Sequence, residues 1–118
     1  MKSKPHFLLR VYTDEAALVG DRRVFELILD RAKEARLLGA TLHRAQAGFG
    51  HDSHLHNRGF LDHNYPAIVE IVDVEKRLRD FWHSISTTAG IGLVTLERVE
   101  ILHGGRLDQP STEKPTRE

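Results

Sequence analysis

Four of the eight histidines of this 118-residue chain, His51, His54, His56 and His63, fall in one short polar stretch. On an extended backbone His54 and His56 project to the same side, which makes them a ligand pair for Zn²⁺ or Cu²⁺, with Asp52 and Asp62 as nearby oxygen donors. Their spacing matches no established metal motif, and the plainer reading is a solvated loop that happens to be rich in histidine. Just before them, Gly48 and Gly50 flank Phe49. Glycines on both sides of an aromatic let the backbone bend sharply and approach a ligand closely, although a strand end that needs a turn asks for the same residues. Arg10 and Arg44 interrupt strand-like runs where an apolar residue would pack better. Such an arginine takes a carboxylate or an anion. An ion pair with Glu70 or Glu97 is the first expectation, and contact with a phosphate is the alternative. Ser53 and Ser84 have histidines nearby in sequence but no nucleophile motif around them. Glu70 suits a strand ion pair and Asp73 a helix N-cap better than either suits acid–base catalysis, so no enzyme activity is expected.

These residues need a scaffold, and the apolar pattern supplies one. Phe7–Tyr12 is a short run that reads as a strand covered on most of both faces. Thr13–Gly20 is a connection, and Asp21 or a neighbour opens a helix. Val24, Leu27, Ile28, Ala32 and Ala35 stand at offsets 0, 3, 4, 8 and 11, one face of a 3.6-residue period. Gly39 is the expected left-handed stop of that helix. A second strand covers Ala40–Phe49. A surplus loop from Gly50 to Pro66 follows, longer than two adjacent antiparallel strands require and so a candidate for binding. Ala67–Val72 is a third strand, dense in β-branched residues. Leu78, Phe81, Trp82, Ile85 and Ala89 then mark the apolar face of a second helix, with Asp73 as its N-cap and Gly90 and Gly92 at its end. A last strand lies around Val99 and Ile101. The order β-α-β-β-α-β in one antiparallel sheet is the α/β (α+β) ferredoxin-like sandwich. Residues 1–103 form this one domain, and residues 104–118 read as a disordered polar tail.

Bulk properties narrow the function. Lys plus Arg and Asp plus Glu both number 17, so net charge supplies no pull toward nucleic acid. The absence of cysteine removes disulfides, thiolate zinc sites and cysteine nucleophiles. No apolar run reaches the ~18 residues of a membrane span, and the N-terminus has no signal-peptide pattern, so a cytoplasmic location is expected.

A set of short motifs in a fixed order resembles a known family. Gly39-Ala40-Thr41, Gly48-Phe49-Gly50, Ser53, His56, Pro66 leading into Val69-Glu70-Ile71-Val72-Asp73, and Gly92-Leu93-Val94-Thr95-Leu96 are similar to the PII-like family of domain of unknown function 190, over about Phe7 to Leu102. The resemblance implies a homotrimer. Its adenine nucleotides, ATP, ADP or AMP, would bind between subunits at the base of a T-loop, the connection between the second and third strands. That loop would in turn contact a membrane transporter, a channel or an enzyme. The glycine- and lysine-rich phosphate loop of PII proteins is replaced here by Thr87-Thr88-Ala89-Gly90-Ile91-Gly92, which has no lysine. Thr88, Gly90 and Gly92 are then the candidates for holding phosphates through backbone N–H groups, with Arg44 or Arg58 supplying positive charge. Self-association also follows from the residues alone. Both parities of Phe7-Leu8-Leu9 and of Ile68, Val69, Ile71 and Val72 are apolar, and closed symmetry buries a second apolar sheet face. The runner-up function is divalent-metal handling of the CutA type through the histidine-rich loop.

That alternative carries its own test. Zinc or copper should bind at pH 7.5 and weaken below about pH 6 as histidines protonate. Replacing His54 and His56 with Ala should abolish the heat of binding in titration calorimetry. No heat with Zn²⁺, Cu²⁺ or Ni²⁺ would reduce the four histidines to loop composition.

Overall fold

The structure, a computed structural model, describes residues 4–45 and 65–105. Its elements are β1 (His6–Asp14), β2 (Leu18–Val19), β3 (Arg22–Arg23), α1 (Val24–Glu34), β4 (Ala40–Arg44), β5 (Pro66–Val74), α2 (Glu75–Ile85) and β6 (Val94–Val99). The main sheet is antiparallel with strand order β4-β5-β1-β6, the ferredoxin-like order, and β2 and β3 form a separate small hairpin.

Strand alternation sets the layers. β1 and β5 are in register with Leu9 opposite Ile71, Val11 opposite Val69 and Thr13 opposite Ala67. All six are buried, because opposite residues of an antiparallel pair share a face and this face lies under both helices. α1 contributes Val24, Phe25, Ile28 and Ala32 to the same core, and α2 contributes Leu78, Phe81 and Ile85. Fully burying one such side chain is worth about 1.5–3 kcal/mol, so this single core outweighs any polar contact described below.

Several boundaries differ from the sequence expectations for identifiable reasons. The helix α1 does not begin at Asp21, because Leu18-Val19 and Arg22-Arg23 pair as a hairpin around Gly20, whose φ is +64°. Phe25 enters the core, Leu27 is only half-buried, and Ala35 is an exposed C-cap. Gly39 is not the left-handed stop. Arg36 takes that conformation instead, with φ +59°. In the second helix Ala89 lies beyond the end and is exposed, and Trp82 packs half-buried against the core. β6 ends at Val99, which leaves Ile101 exposed. β1 turns one buried face to the helices, as expected, and its other face is half-buried. Among the described residues, no helix is long and apolar enough to cross a membrane.

Asp73 is not the N-cap of α2. That position is held by Val74, which makes no side-chain capping bond. Asp73 is 2% exposed and faces the core side of β5, opposite Phe7. Its carboxylate accepts the Leu38 N–H at 3.0 Å and the Val74 N–H at 2.7 Å, and Arg77 Nε lies 3.5 Å away. Arg77 Nη2 in turn donates to the Ala35 and Arg36 carbonyls at 3.1 and 2.5 Å. Those carbonyls have left the helical ladder, so the guanidinium supplies the donors that they lack. This relay ties the end of α1 to the joint between β5 and α2.

Breaking it should show in stability. Asp73→Ala strands the Leu38 N–H and releases Arg77, and should lower the urea-unfolding free energy by about 2–3 kcal/mol. Asp73→Asn, which keeps an acceptor oxygen, should cost less. Equal unfolding midpoints for Asp73→Ala and the parent chain would show the relay to be unimportant.

Candidate functional site

One end of the sheet gathers most of the described sequence candidates. The C-terminal end of β1, the end of β4, the start of β5 and the α2–β6 connection all meet there. The Glu15 N–H donates to the Tyr65 carbonyl at 2.7 Å, the Ala45 N–H to the Pro66 carbonyl at 3.0 Å, and the Gly92 N–H to the Tyr12 carbonyl at 2.8 Å. Arg44 reaches this end from β4. Its guanidinium lies 5.7 Å from the centroid of the Phe25 ring, a cation–π distance, and its Nε is 3.4 Å from a Glu15 carboxylate oxygen. The partner of Arg44 is therefore Glu15, not Glu70 or Glu97. Arg23 Nη1 donates to the Glu15 backbone carbonyl at 2.6 Å, so the Glu15 segment is gripped from two sides.

The α2–β6 connection stands at the other edge of the same end. The Thr88 N–H closes the end of α2 on the Ile85 carbonyl at 2.9 Å, and the Gly92 N–H is taken by Tyr12. An anion held here would have to use the remaining N–H groups and the Thr88 hydroxyl. Gly90 has a structural reason to be glycine. Its φ is +90°, and a Cβ would meet Val24 Cγ2 at 3.0 Å and Ala17 Cβ at 3.2 Å. Its carbonyl accepts the Thr13 hydroxyl at 2.7 Å. Arg44 sits on the β4 edge, whereas Gly92 leads into the β6 edge. Phe25, which carries the Arg44 guanidinium, directly follows Val24, against which Gly90 packs. Gly48, Phe49, Gly50, His54, His56 and Arg58 lie outside the described residues. Among the described residues, no group of three His, Asp or Glu side chains could hold a metal ion.

The second polar constellation is on the sheet face that the helices leave open. Arg10 Nε donates to Glu70 Oε2 at 2.8 Å, the ion pair expected for that arginine, and His43 Nε2 lies 3.0 Å from Glu70 Oε1. The His43–Glu70 contact is diagonal: His43 is opposite Ile68, and Glu70 is opposite Thr41. Around this trio the face is apolar and half-buried, with Leu8 and Tyr12 on β1, Ile68, Val72 and Val74 on β5, and Val99 on β6. The Arg10 hydrogen bond is the main force holding the Glu70 carboxyl below its ordinary range. Partial burial opposes it, and His43 adds to it. Reciprocally, the Glu70 hydrogen bond raises Arg10 above its ordinary value. Sequence reading missed His43, Glu15 and Phe25 as parts of either constellation. His43 was legible in principle, because it shares strand parity with Thr41 and hence a face with Glu70.

The sequence profile of the DUF190 family, described as an uncharacterized ACR, matches residues 6–101. The chain is also similar to a UPF0166 protein of Aquifex aeolicus (strain VF5), with 37% identity over 98 residues that cover 81% of this chain and 92% of that protein.

The lowered Glu70 carboxyl makes a pH-dependent contribution with a definite sign. Its folded value lies below the unfolded one, so the stabilisation is fully present above about pH 4.5 and is lost as pH falls through the folded value. In urea titrations at fixed protein concentration, Glu70→Gln should be less stable than the parent near pH 6. The two curves should converge toward pH 3. A constant difference across that range would remove the Arg10–Glu70 pair as its source.

Proposed function

The chain belongs to the DUF190 family, and from that premise we propose that it is a PII-like regulatory protein, not an enzyme. It works as a homotrimer that binds a small anionic effector between subunits, an adenine nucleotide being the first candidate. It signals through the T-loop, the connection between β4 and β5, to a transporter, channel or enzyme.

The observation that carries this reading is the unequal covering of the sheet. Leu8, Tyr12, Ile68, Val72, Val74 and Val99 line a face on which no described helix packs. Contiguous apolar surface of this kind marks an interaction site, and a closed ring of identical subunits covers it without leaving another face bare. In such a ring Arg44 on the β4 edge of one subunit and the α2–β6 connection on the β6 edge of its neighbour can face one cleft. In that cleft Arg44 supplies charge and Phe25 supports it from below.

A thermal-shift screen of ATP, ADP, AMP, cyclic dinucleotides, S-adenosylmethionine and bicarbonate tests the effector. At about 100 times its Kd a true ligand adds about 2.7 kcal/mol to stability, well within detection. Arg44→Ala should weaken a phosphorylated ligand by about 1.5–3 kcal/mol and adenosine much less. If no compound in the screen moves the melting temperature, the effector reading is lost.

A further inference from the structure

We infer that Glu15 is a built-in competitor at the proposed effector site. Its carboxylate holds Arg44 until an anion of two or more charges takes its place, and Arg23 is the second cation which that anion engages. The inference rests on the effector reading above and says which class of anion the site selects.

Arg44, Arg23 and its neighbour Arg22 are held differently. Arg22 is committed to the Asp30 carboxylate. Arg44 has the Glu15 carboxylate, but through Nε at 3.4 Å, longer than the ~2.7–2.9 Å of a firm charge-assisted bond. Arg23 meets no carboxylate among the described residues, and its Nη1 donates to the Glu15 backbone carbonyl at 2.6 Å. The Arg44 and Glu15 side chains keep 57% and 25% of their exposure, so water and solutes reach the pair. An exposed, loosely closed ion pair contributes little to stability and is exchanged at small cost.

What stays fixed makes the exchange directional. The Glu15 N–H donates to the Tyr65 carbonyl at 2.7 Å, and the Glu15 carbonyl is held by Arg23. The backbone is pinned on both sides, and only the carboxylate side chain is free to swing away. Arg44 keeps its place over the Phe25 ring, 5.7 Å from the centroid, whichever anion it holds. Arg23 spends one donor on the Glu15 carbonyl, and the rest of its fork is open to a ligand oxygen. Because both arginines contact the same glutamate, a diphosphate or triphosphate can engage the two together. A singly charged ligand gains nothing by the exchange. It replaces one carboxylate by one anion, and the tethered carboxylate has the higher effective concentration. A diphosphate or triphosphate brings more charge and takes a second arginine, which the glutamate side chain cannot match.

Titration calorimetry of the full chain at pH 7.5, with ADP and ATP as probes and adenosine as the uncharged control, reads the competition. Glu15→Gln keeps the size of the side chain and removes its charge, so both nucleotides should bind about three- to tenfold more tightly than to the parent. Adenosine should not distinguish the two chains. Arg23→Gln should weaken ADP about tenfold and leave adenosine unchanged. A merely structural role for Glu15 has the opposite sign, a loss of affinity on substitution. Nucleotide affinity that is unchanged or lower in Glu15→Gln overturns the inference and leaves the effector site standing. An equal gain for adenosine also overturns it. An Arg23→Gln chain that binds ADP like the parent overturns the assignment of the second cation. If neither nucleotide binds the parent or Glu15→Gln, the effector reading falls and the inference falls with it.

Discussion

A β-strand must place its side chains alternately on two faces, and in this protein the two described helices cover only one of them. β1 and β5 are the two central strands, so the constraint falls hardest on them. Their core face is filled with aliphatic side chains from Leu9 to Ala67. Their opposite face carries apolar residues with a single ionic group at its middle. The depth of the core, the position of the helices and the character of the exposed surface all follow from that division. The ionic group belongs with it as well. An arginine at position 10 is tolerable in a central strand because the register sets it directly opposite Glu70, where two charges cancel.

The helices are held to this sheet by more than their apolar stripes. Asp73 is almost completely buried, yet both of its oxygens are engaged, and one of them serves a backbone N–H on the far side of α1. Arg77 extends the same relay to the carbonyls that α1 leaves open. This relay also accompanies the left-handed backbone at Arg36, a conformation that costs a non-glycine residue of order 1 kcal/mol. Local strain is accepted there because the surrounding hydrogen bonds over-determine the turn.

The parts of this molecule that depend on local periodicity were legible in the sequence. Leu78, Phe81 and Ile85 announce α2 by spacing alone, and β5 is plain from its density of β-branched residues between Ala67 and Val72. The pairing of Arg10 with Glu70 was legible too, since both interrupt apolar strands and need each other. What escaped depends on contacts between distant segments. Asp73 has the type and place of an N-cap, and only the approach of Leu38 diverts it. Gly39 looks like a helix stop, but the chain turns three residues earlier at Arg36. Arg44 finds Glu15 because the end of β1 folds back against β4 across β5, a proximity that no pattern on either strand encodes. The short hairpin around Gly20 was hidden because two residues per strand are too few to show alternation.

The strand order has a kinetic side. β1 is the first element in the chain, yet both of its neighbours in the sheet come from the second half of the sequence. Arg10 and Glu70 are sixty positions apart, and every rung of the β1–β5 ladder closes a loop of comparable length. On a growing polypeptide the central strand therefore emerges with no partner, and its apolar residues stay unsheltered until β5 has followed. High contact order of this kind slows folding, because loop entropy is spent before distant pairs reward it. Among the described residues, α1 is the only long element able to shield β1 during that interval, which makes the first β–α unit the natural candidate for an early, loosely packed nucleus.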